Sequence, residues 1–337
     1  MKQMAKKDEI LKIFPRDLRS ILGQVPVDFK EIQEIRMRTG QPLAIICGNL
    51  EFLLARDGRM LQDRGDGDRE MLLCITQSQM KETVEYMSSF SLYAAEEELR
   101  QGFLTIQGGH RIGVAGKTLA QGQDIRLMKF ISFINIRVAH QIPGCADRVM
   151  SYLYTDRFLN TLIISPPRCG KTTLLRDMIR QISDGWTDRT SGRRIPGTSV
   201  GVVDERSELA ACYQGIPQND LGMRTDVLDC CPKSQGMMML VRTMSPGVIA
   251  VDEIGSRQDV DAIEYVRNCG CALAATIHGS SLEDIRQKPA MGELLGQGTF
   301  ERLILLDNQE RAGHVGYIWD SRGRVLYEDG NSAQAAG

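Results

Sequence analysis

The sequence predicts two α/β units: a smaller α+β unit over residues 1–150, and a mainly parallel α/β unit over 151–337. Three observations carry that prediction. Beyond about residue 150, short apolar runs alternate with helical stretches, the rhythm of a parallel sheet covered on both faces. Before it, strand-like segments follow one another across Gly-containing turns, the rhythm of an antiparallel meander. The full length of 337 residues accommodates two ordinary domains.

The N-terminal elements follow in order. DEILKIFP places Ile10, Leu11 and Phe14 on one helical face, and Pro15 interrupts the helix. From about Gln33, EIRMR alternates, TGQ turns, PLAIICG runs apolar and EFLLA follows another turn: a small meander. Residues 76–101 read as one helix, with Met80, Val84, Met87 and Leu92 near helical spacing. FLTIQ and HRIGVAGKTL flank Gly108-Gly109, a two-residue hairpin signal. FISFINIRVAH is a further strand, stopped by Pro143 and Gly144.

In the second unit TLIIS, SVGVVDE, GVIAVDEI and ALAATIH read as buried strands, with TTLLRDMIRQI and DVDAIEYVRNC as helices. The polar, Gly-containing stretch DGWTDRTSGRRIPGTS reads as a surface loop. FERLILLDN and HVGYIWDSRGRVLYE read as paired strands, and NSAQAAG as a frayed tail.

Composition narrows the function classes. A formal net charge of -2 gives no sign of a broad basic nucleic-acid surface. No run approaches the roughly 18 apolar residues of a membrane span, so any membrane role goes through a partner or a peripheral surface. The opening MKQMAKKDEILKIF lacks the apolar core of a secretory signal. Nine cysteines show no C-x-x-C pair, which points to reduced thiols in a cytosolic protein.

The strongest chemical signal is Ser165-Pro166-Pro167-Arg168-Cys169-Gly170-Lys171-Thr172-Thr173, between a strand and a helix. That is the context of a P-loop, in which backbone N–H groups and a helix N-terminus bind phosphate oxygens. Gly170 permits close backbone approach, Lys171 would reach the β- and γ-phosphates of ATP, and Thr172 would ligate Mg²⁺. Ser165 stands where the motif begins with Gly. A second motif, VIAVDE, ends a strand in Asp252 and Glu253, at the sheet edge where ligands bind in open α/β folds. Asp252 would hold the metal shell and Glu253 would orient or deprotonate the attacking water. Asp204, Glu205 and Glu208 form a third acidic cluster after a strand, either a second carboxylate set near the metal or a structural salt-bridge turn. His278 closes the A-T-I-H strand, as a γ-phosphate sensor or as a satisfied core histidine.

The ordered strings SPPRCGKTTLLRD, VVDERSE, GMRTDVLD, GMMMLVRTMSP, VIAVDEIG and AATIHG resemble the stage III sporulation AA family of endospore-forming bacteria. That family is similar to the type II and type IV secretion and pilus ATPases. The resemblance spans nearly the whole chain and is densest from about 160 to 285. It implies a RecA-like P-loop ATPase domain behind a smaller α+β domain, a homo-oligomeric and hexameric ring, and a role in energising a secretion-like channel during spore formation. It further implies a cytoplasmic, mother-cell location, with attachment to the membrane through embedded channel components. The "Asp box" of secretion ATPases falls on Asp204, Glu205 and Glu208, their "His box" on Thr276 and His278, and their catalytic glutamate on Glu253. Walker B reads Asp252-Glu253 here where many relatives have Gly-Glu, and the four-cysteine zinc subdomain is missing from the sequence. Such rings supply N-domain arginines across the subunit interface, and the candidates are Arg111, Arg126 in a loop, and Arg137.

Two other function classes use such a core. A nucleic-acid translocase or helicase is disfavoured by the near-neutral charge and the missing aromatic-basic stripe. A non-catalytic, nucleotide-dependent scaffold is disfavoured by the complete set Lys171, Thr172, Asp252 and Glu253.

Overall fold

The computed structural model describes residues 2–48, 50–62, 70–91, 96–100, 102–121, 124–307 and 313–329. The chain separates into two compact units, 1–140 and 141–337. The division falls ten residues before the one expected from sequence. Residues just after it belong to the second core: Ala146, Val149, Met150 and Leu153 are buried there. The amides of Gly144 and Ala146 also donate to Asp177 Oδ2 of the second unit, each at 2.9 Å.

The N-terminal unit contains α1 (Lys2–Leu11), α2 (Arg16–Leu22), β1 (Ile32–Arg38), β2 (Ala44–Cys47), β3 (Leu50–Leu54), β4 (Met60–Leu61), α3 (Gln77–Met87), α4 (Glu96–Arg100), β5 (Phe103–Ile106), β6 (His110–Gln121) and β7 (Asp124–Arg137). Its seven strands form one sheet in the order β4-β3-β2-β1-β7-β6-β5, and its pairings are antiparallel. Pro15 separates α1 from α2 because it sets a fixed φ and lacks an N–H. Ile10 and Phe14 are fully buried beside Leu18 and Leu22. Alternation in β1 buries Ile35 and Met37, and a bulge between Ile32 and Glu34 brings Ile32 into the same core.

The expected helix over 76–101 is interrupted. A capping box between Thr76 and Gln79 starts α3, and Met80, Val84 and Met87 are buried as the spacing predicts. Helix geometry stops at Ser88, and Ser89 and Phe90 take left-handed φ values of 51° and 61°. Leu92 lies outside the described residues, as does the NSAQAAG tail. The Gly108-Gly109 hairpin forms, with both glycines at positive φ, but Ile106 pairs with His110, leaving a three-residue loop. Arg126 sits in β7 rather than in a loop, because β6 and β7 extend into a ribbon of 12 and 14 residues. The ribbon bends at a bulge where a Cβ on Gly116 would meet Phe130 O at 2.7 Å.

The C-terminal unit contains α5 (Asp147–Met150), β8 (Thr161–Ser165), α6 (Lys171–Asp184), β9 (Gly185–Thr187), β10 (Arg194–Pro196), β11 (Val200–Asp204), β12 (Thr225–Asp229), α7 (Lys233–Met244), β13 (Val248–Val251), α8 (Arg257–Asn268), β14 (Ala272–His278), α9 (Leu282–Gln287), α10 (Pro289–Gly296), β15 (Arg302–Leu306), β16 (Val315–Asp320) and β17 (Val325–Glu328). Eight strands form a sheet in the order β12-β11-β13-β14-β8-β15-β16-β17. The first six run parallel, and β16 and β17 close one edge antiparallel. Two apolar clusters flank this sheet, one including Leu174, Met178 and Ile182 of α6, the other including Val260, Ile263 and Val266 of α8. The stretch expected as a plain loop folds into the short β9–β10 ribbon, with Trp186 and Ile195 buried. Among the described residues, no helix is long and apolar enough to cross a membrane.

Candidate functional site

The sheet order determines which residues meet. β8, β14, β13 and β11 are consecutive neighbours running the same way, so the loops leaving their C-terminal ends share one edge.

The loop after β8 carries Pro166, Pro167, Arg168, Cys169 and Gly170 into α6. Arg168 and Gly170 are left-handed, with φ of 65° and 90°. Backbone turned this way lines a concavity with amides suited to anions. Gly170 occupies the N-cap of α6 with no side-chain cap, so no side chain competes for the first-turn N–H groups. Ser165, in place of the motif's glycine, is the last residue of β8; it pairs in register with His278, and its carbonyl accepts from the Gly279 amide at 3.1 Å. Its backbone is not left-handed, so a side chain costs nothing there. Cys169 is buried, and its carbonyl accepts from the Gly313 amide at 2.6 Å. The Thr173 carbonyl accepts from Cys145 Sγ at 3.5 Å.

The acid pair lies directly against this loop. Thr172 Oγ1 donates to Asp252 Oδ2 at 2.7 Å, and Lys171 Nζ donates to Glu253 Oε1 at 2.7 Å. Thr276 joins the two acids: its hydroxyl donates to Asp252 Oδ1 and accepts from the Glu253 amide at 2.8 Å. His278 Nε2 lies 2.9 Å from Glu253 Oε1. A ring nitrogen facing a carboxylate donates to it, and the other, Nδ1, is buried with no hydrogen-bond partner. Glu253 is itself left-handed, with φ of 58°, an uncommon state for a residue with a Cβ. Burial alone would raise its pKa, but the hydrogen bond and charge of Lys171, with His278 and Arg206, outweigh burial and hold it below the usual glutamate range.

The third acidic cluster lines one small cavity with Asp252 and Glu253, so Asp204, Glu205 and Glu208 lie beside the acid pair. Asp204 is buried, and its two oxygens accept the amides of Glu208 and Ala210 at 2.8 and 2.7 Å. Burial pushes its pKa up, against the amides that favour the ionised form. Glu205 pairs with Lys233 of α7. The Glu208 and Leu209 carbonyls accept Arg176 of α6 at 2.6 and 3.0 Å. Arg206 of this cluster is bonded to Glu253 Oε2. Sequence reasoning did not single out Arg206, Arg176 or Lys233. The one local signal was a cation set among acids at a strand end.

In the N-terminal unit, Arg111 of β6 and Arg137 of β7 are register partners. Arg137 lies 3.5 Å from Glu34, which also holds Arg36 at 2.7 Å. The Arg111 guanidinium stacks 3.7 Å over the Phe103 ring. Arg126 is exposed on β7.

The donor set fits a nucleotide with a hard divalent cation. A hydroxyl and a carboxylate face each other, and phosphate oxygens and water complete an oxygen shell in such sites. Among the described residues, no group of three or more His, Cys, Asp or Glu is arranged to hold a metal by itself.

The fold is RecA-like, the fold also seen in solved secretion and pilus ATPases. The pilus retraction motor PilT, solved with bound ADP, superposes with a TM-score of 0.56 at 12% identity, covering 97% of this chain and 85% of that one. The ATPase DotB of Yersinia pseudotuberculosis gives 0.53 at 12% identity, over 87% and 75%. The chain belongs to the family described as sporulation stage III, protein AA, whose model matches residues 4–326. The stage III sporulation protein AA of Bacillus subtilis is 37% identical over 320 residues, 95% of this chain and 97% of its own. The ycf45 protein of Porphyra purpurea is 25% identical, and the aligned part is 43% of its length.

Proposed function

We propose that this chain binds Mg-ATP at residues 165–173 and hydrolyses it, and that an assembled ring of copies uses the energy to drive a secretion-like channel during endospore formation. The observation that carries the reading is the pairing of Lys171 with Glu253 and of Thr172 with Asp252, each at 2.7 Å.

Each residue has a physical task. The amides of the loop and of the first turn of α6 hold phosphate oxygens. Lys171 neutralises the β- and γ-phosphates, and a phosphate there competes with Glu253 for its ammonium. Thr172 and Asp252 would hold Mg²⁺, which when bound neutralises phosphate charge. Glu253 is kept ionised by its cationic neighbours and accepts a proton from water as the water oxygen bonds the terminal phosphorus. The bond to the leaving ADP oxygen breaks, giving ADP and phosphate. Thr276 fixes the backbone of Glu253, and His278 offers its Nε2 proton to the carboxylate or to the γ-phosphate. Arg111 and Arg137 are the candidates to reach the phosphates of a neighbouring copy. The B. subtilis relative supports the sporulation setting, and PilT and DotB support the motor reading.

The test is nucleotide affinity and phosphate release from the intact chain with Mg²⁺. Lys171→Ala is expected to lose at least roughly 100-fold in affinity, about 3 kcal/mol. Glu253→Gln is expected to bind ATP normally and to lose turnover by about 10²–10⁴-fold. Full activity in either variant rejects the assignment.

A further inference from the structure

We propose that Arg206 is a positioning residue that holds the Glu253 carboxylate in place for hydrolysis; this rests on the role given to Glu253 above. Glu253 Oε1 is shared by Lys171 and His278, whereas Oε2 is bonded to Arg206. If Lys171 engages phosphate, Oε1 loses its ammonium, and Arg206 becomes the strongest charge partner left to the carboxylate. A side chain on a left-handed backbone needs such an external hold, because the local conformation offers little of its own.

An isolated exposed ion pair would be worth little. The construction around Arg206 sets this one apart. Arg206 itself is 59% exposed, but Glu253 is only 17% exposed. The backbone carrying Arg206 is held from both sides: buried Asp204 accepts the amides of Glu208 and Ala210, and Arg176 donates to the carbonyls of Glu208 and Leu209. Ser207, next in the chain, is left-handed with φ of 52°. The neighbouring Glu205 is engaged by Lys233. Arg176 sits on α6, the helix that begins with Lys171, so the phosphate loop and the Arg206 loop are tied to one element. A guanidinium also presents its N–H groups in a fixed plane, which an ammonium does not.

The experiment uses the full chain with ATP and Mg²⁺. It compares Arg206→Ala and Arg206→Lys with the wild type in kcat and KM, and measures affinity for a non-hydrolysable ATP analogue. Arg206→Ala is expected to lower kcat roughly 10- to 100-fold, the scale of a misplaced reacting group. KM and analogue affinity should stay within about twofold, which also shows that the site is folded. Arg206→Lys should recover part of kcat, since charge is kept and the planar fork is lost. An unchanged kcat in Arg206→Ala overturns the proposal. So does a loss of analogue affinity in step with kcat, which would make Arg206 a phosphate ligand. A wild-type chain that does not hydrolyse ATP removes the role of Glu253 itself, and this proposal with it. An active wild type with an indifferent Arg206→Ala removes only the proposal.

Discussion

In the C-terminal unit the Glu253 carboxylate is ringed by Lys171, His278 and Arg206, whereas in the N-terminal unit the buried His110 ring has a backbone amide on one nitrogen and little on the other. Its Nδ1 accepts from the Ala139 amide at 3.1 Å, while Nε2 has no hydrogen-bond partner and lies 3.7 Å from Glu9. Both side chains are withdrawn from water, yet burial wins in one and loses in the other. His110 is pushed down to about 3, by burial first and then by Lys6 and His140. Glu253 is held below its ordinary value despite burial, by the cations around it. Close counter-charges around Glu253 overcome desolvation, whereas at His110 burial with the like charges of Lys6 and His140 prevails. The first arrangement suits chemistry and the second suits a core.

The comparison breaks most visibly at Asp204. Its carboxylate serves two amides of the loop that carries Arg206, so Asp204→Ala leaves one buried and one part-buried donor unpaired. The expected cost is about 2–6 kcal/mol in the C-terminal unit, from about 1–3 kcal/mol per unpaired group. Urea unfolding followed by tryptophan fluorescence reads it, since both tryptophans, Trp186 and Trp319, lie in that unit. A change under about 0.5 kcal/mol, the size of an ordinary surface substitution, would show that the loop is held by other means.

His110 sharpens the other side. Its folded pKa lies below the unfolded value, so unfolding takes up a proton at mildly acidic pH, and stability falls as pH drops below about 6.5. Between pH 7 and pH 5 the N-terminal unit should lose about 2 kcal/mol. Hydrogen exchange at amides of β1 and β7 follows that unit separately from the tryptophans. Burial also lowers Lys6 and His140 and raises Glu9, so the variant His110→Gln isolates the His110 part. If it keeps the full pH slope, the attribution to His110 is wrong.

The smallest effect is expected where exposure leaves charges screened. Arg157 makes a two-point contact with Glu301 at 2.9 and 2.8 Å, with Arg157 57% exposed. Arg157→Ala should cost no more than about 1 kcal/mol by urea unfolding. A loss of several kcal/mol would mean that exposure is a poor guide to charge energetics in this protein.

The same contrast explains how much of the molecule could be read beforehand. Segments whose signal is local were legible: the phosphate loop, the VIAVDE strand and the A-T-I-H strand carry their motifs in consecutive residues. Residues joined only by parallel register were not. Nothing near residue 206 in the sequence says that it meets 253, or that Arg176 from α6 holds the same loop. The helix expected over 76–101 shows a different failure, since the apolar spacing persists to Met87 and gives no warning that Ser89 and Phe90 turn left-handed. Arg126 lies near the start of β7, before Met128 and Ile131 pack against the core, so little marks that stretch as strand.

Hydrolysis as proposed needs a triphosphate seated at the start of α6 with its metal toward β13. A structure of the intact chain with Mg²⁺ and a non-hydrolysable ATP analogue tests this most directly. Phosphate density is expected at the amides of residues 168–172, with Lys171 on the β- and γ-phosphates and the metal between Thr172 and Asp252. Nucleotide bound elsewhere, or Lys171 still on Glu253 beside a bound triphosphate, would contradict it.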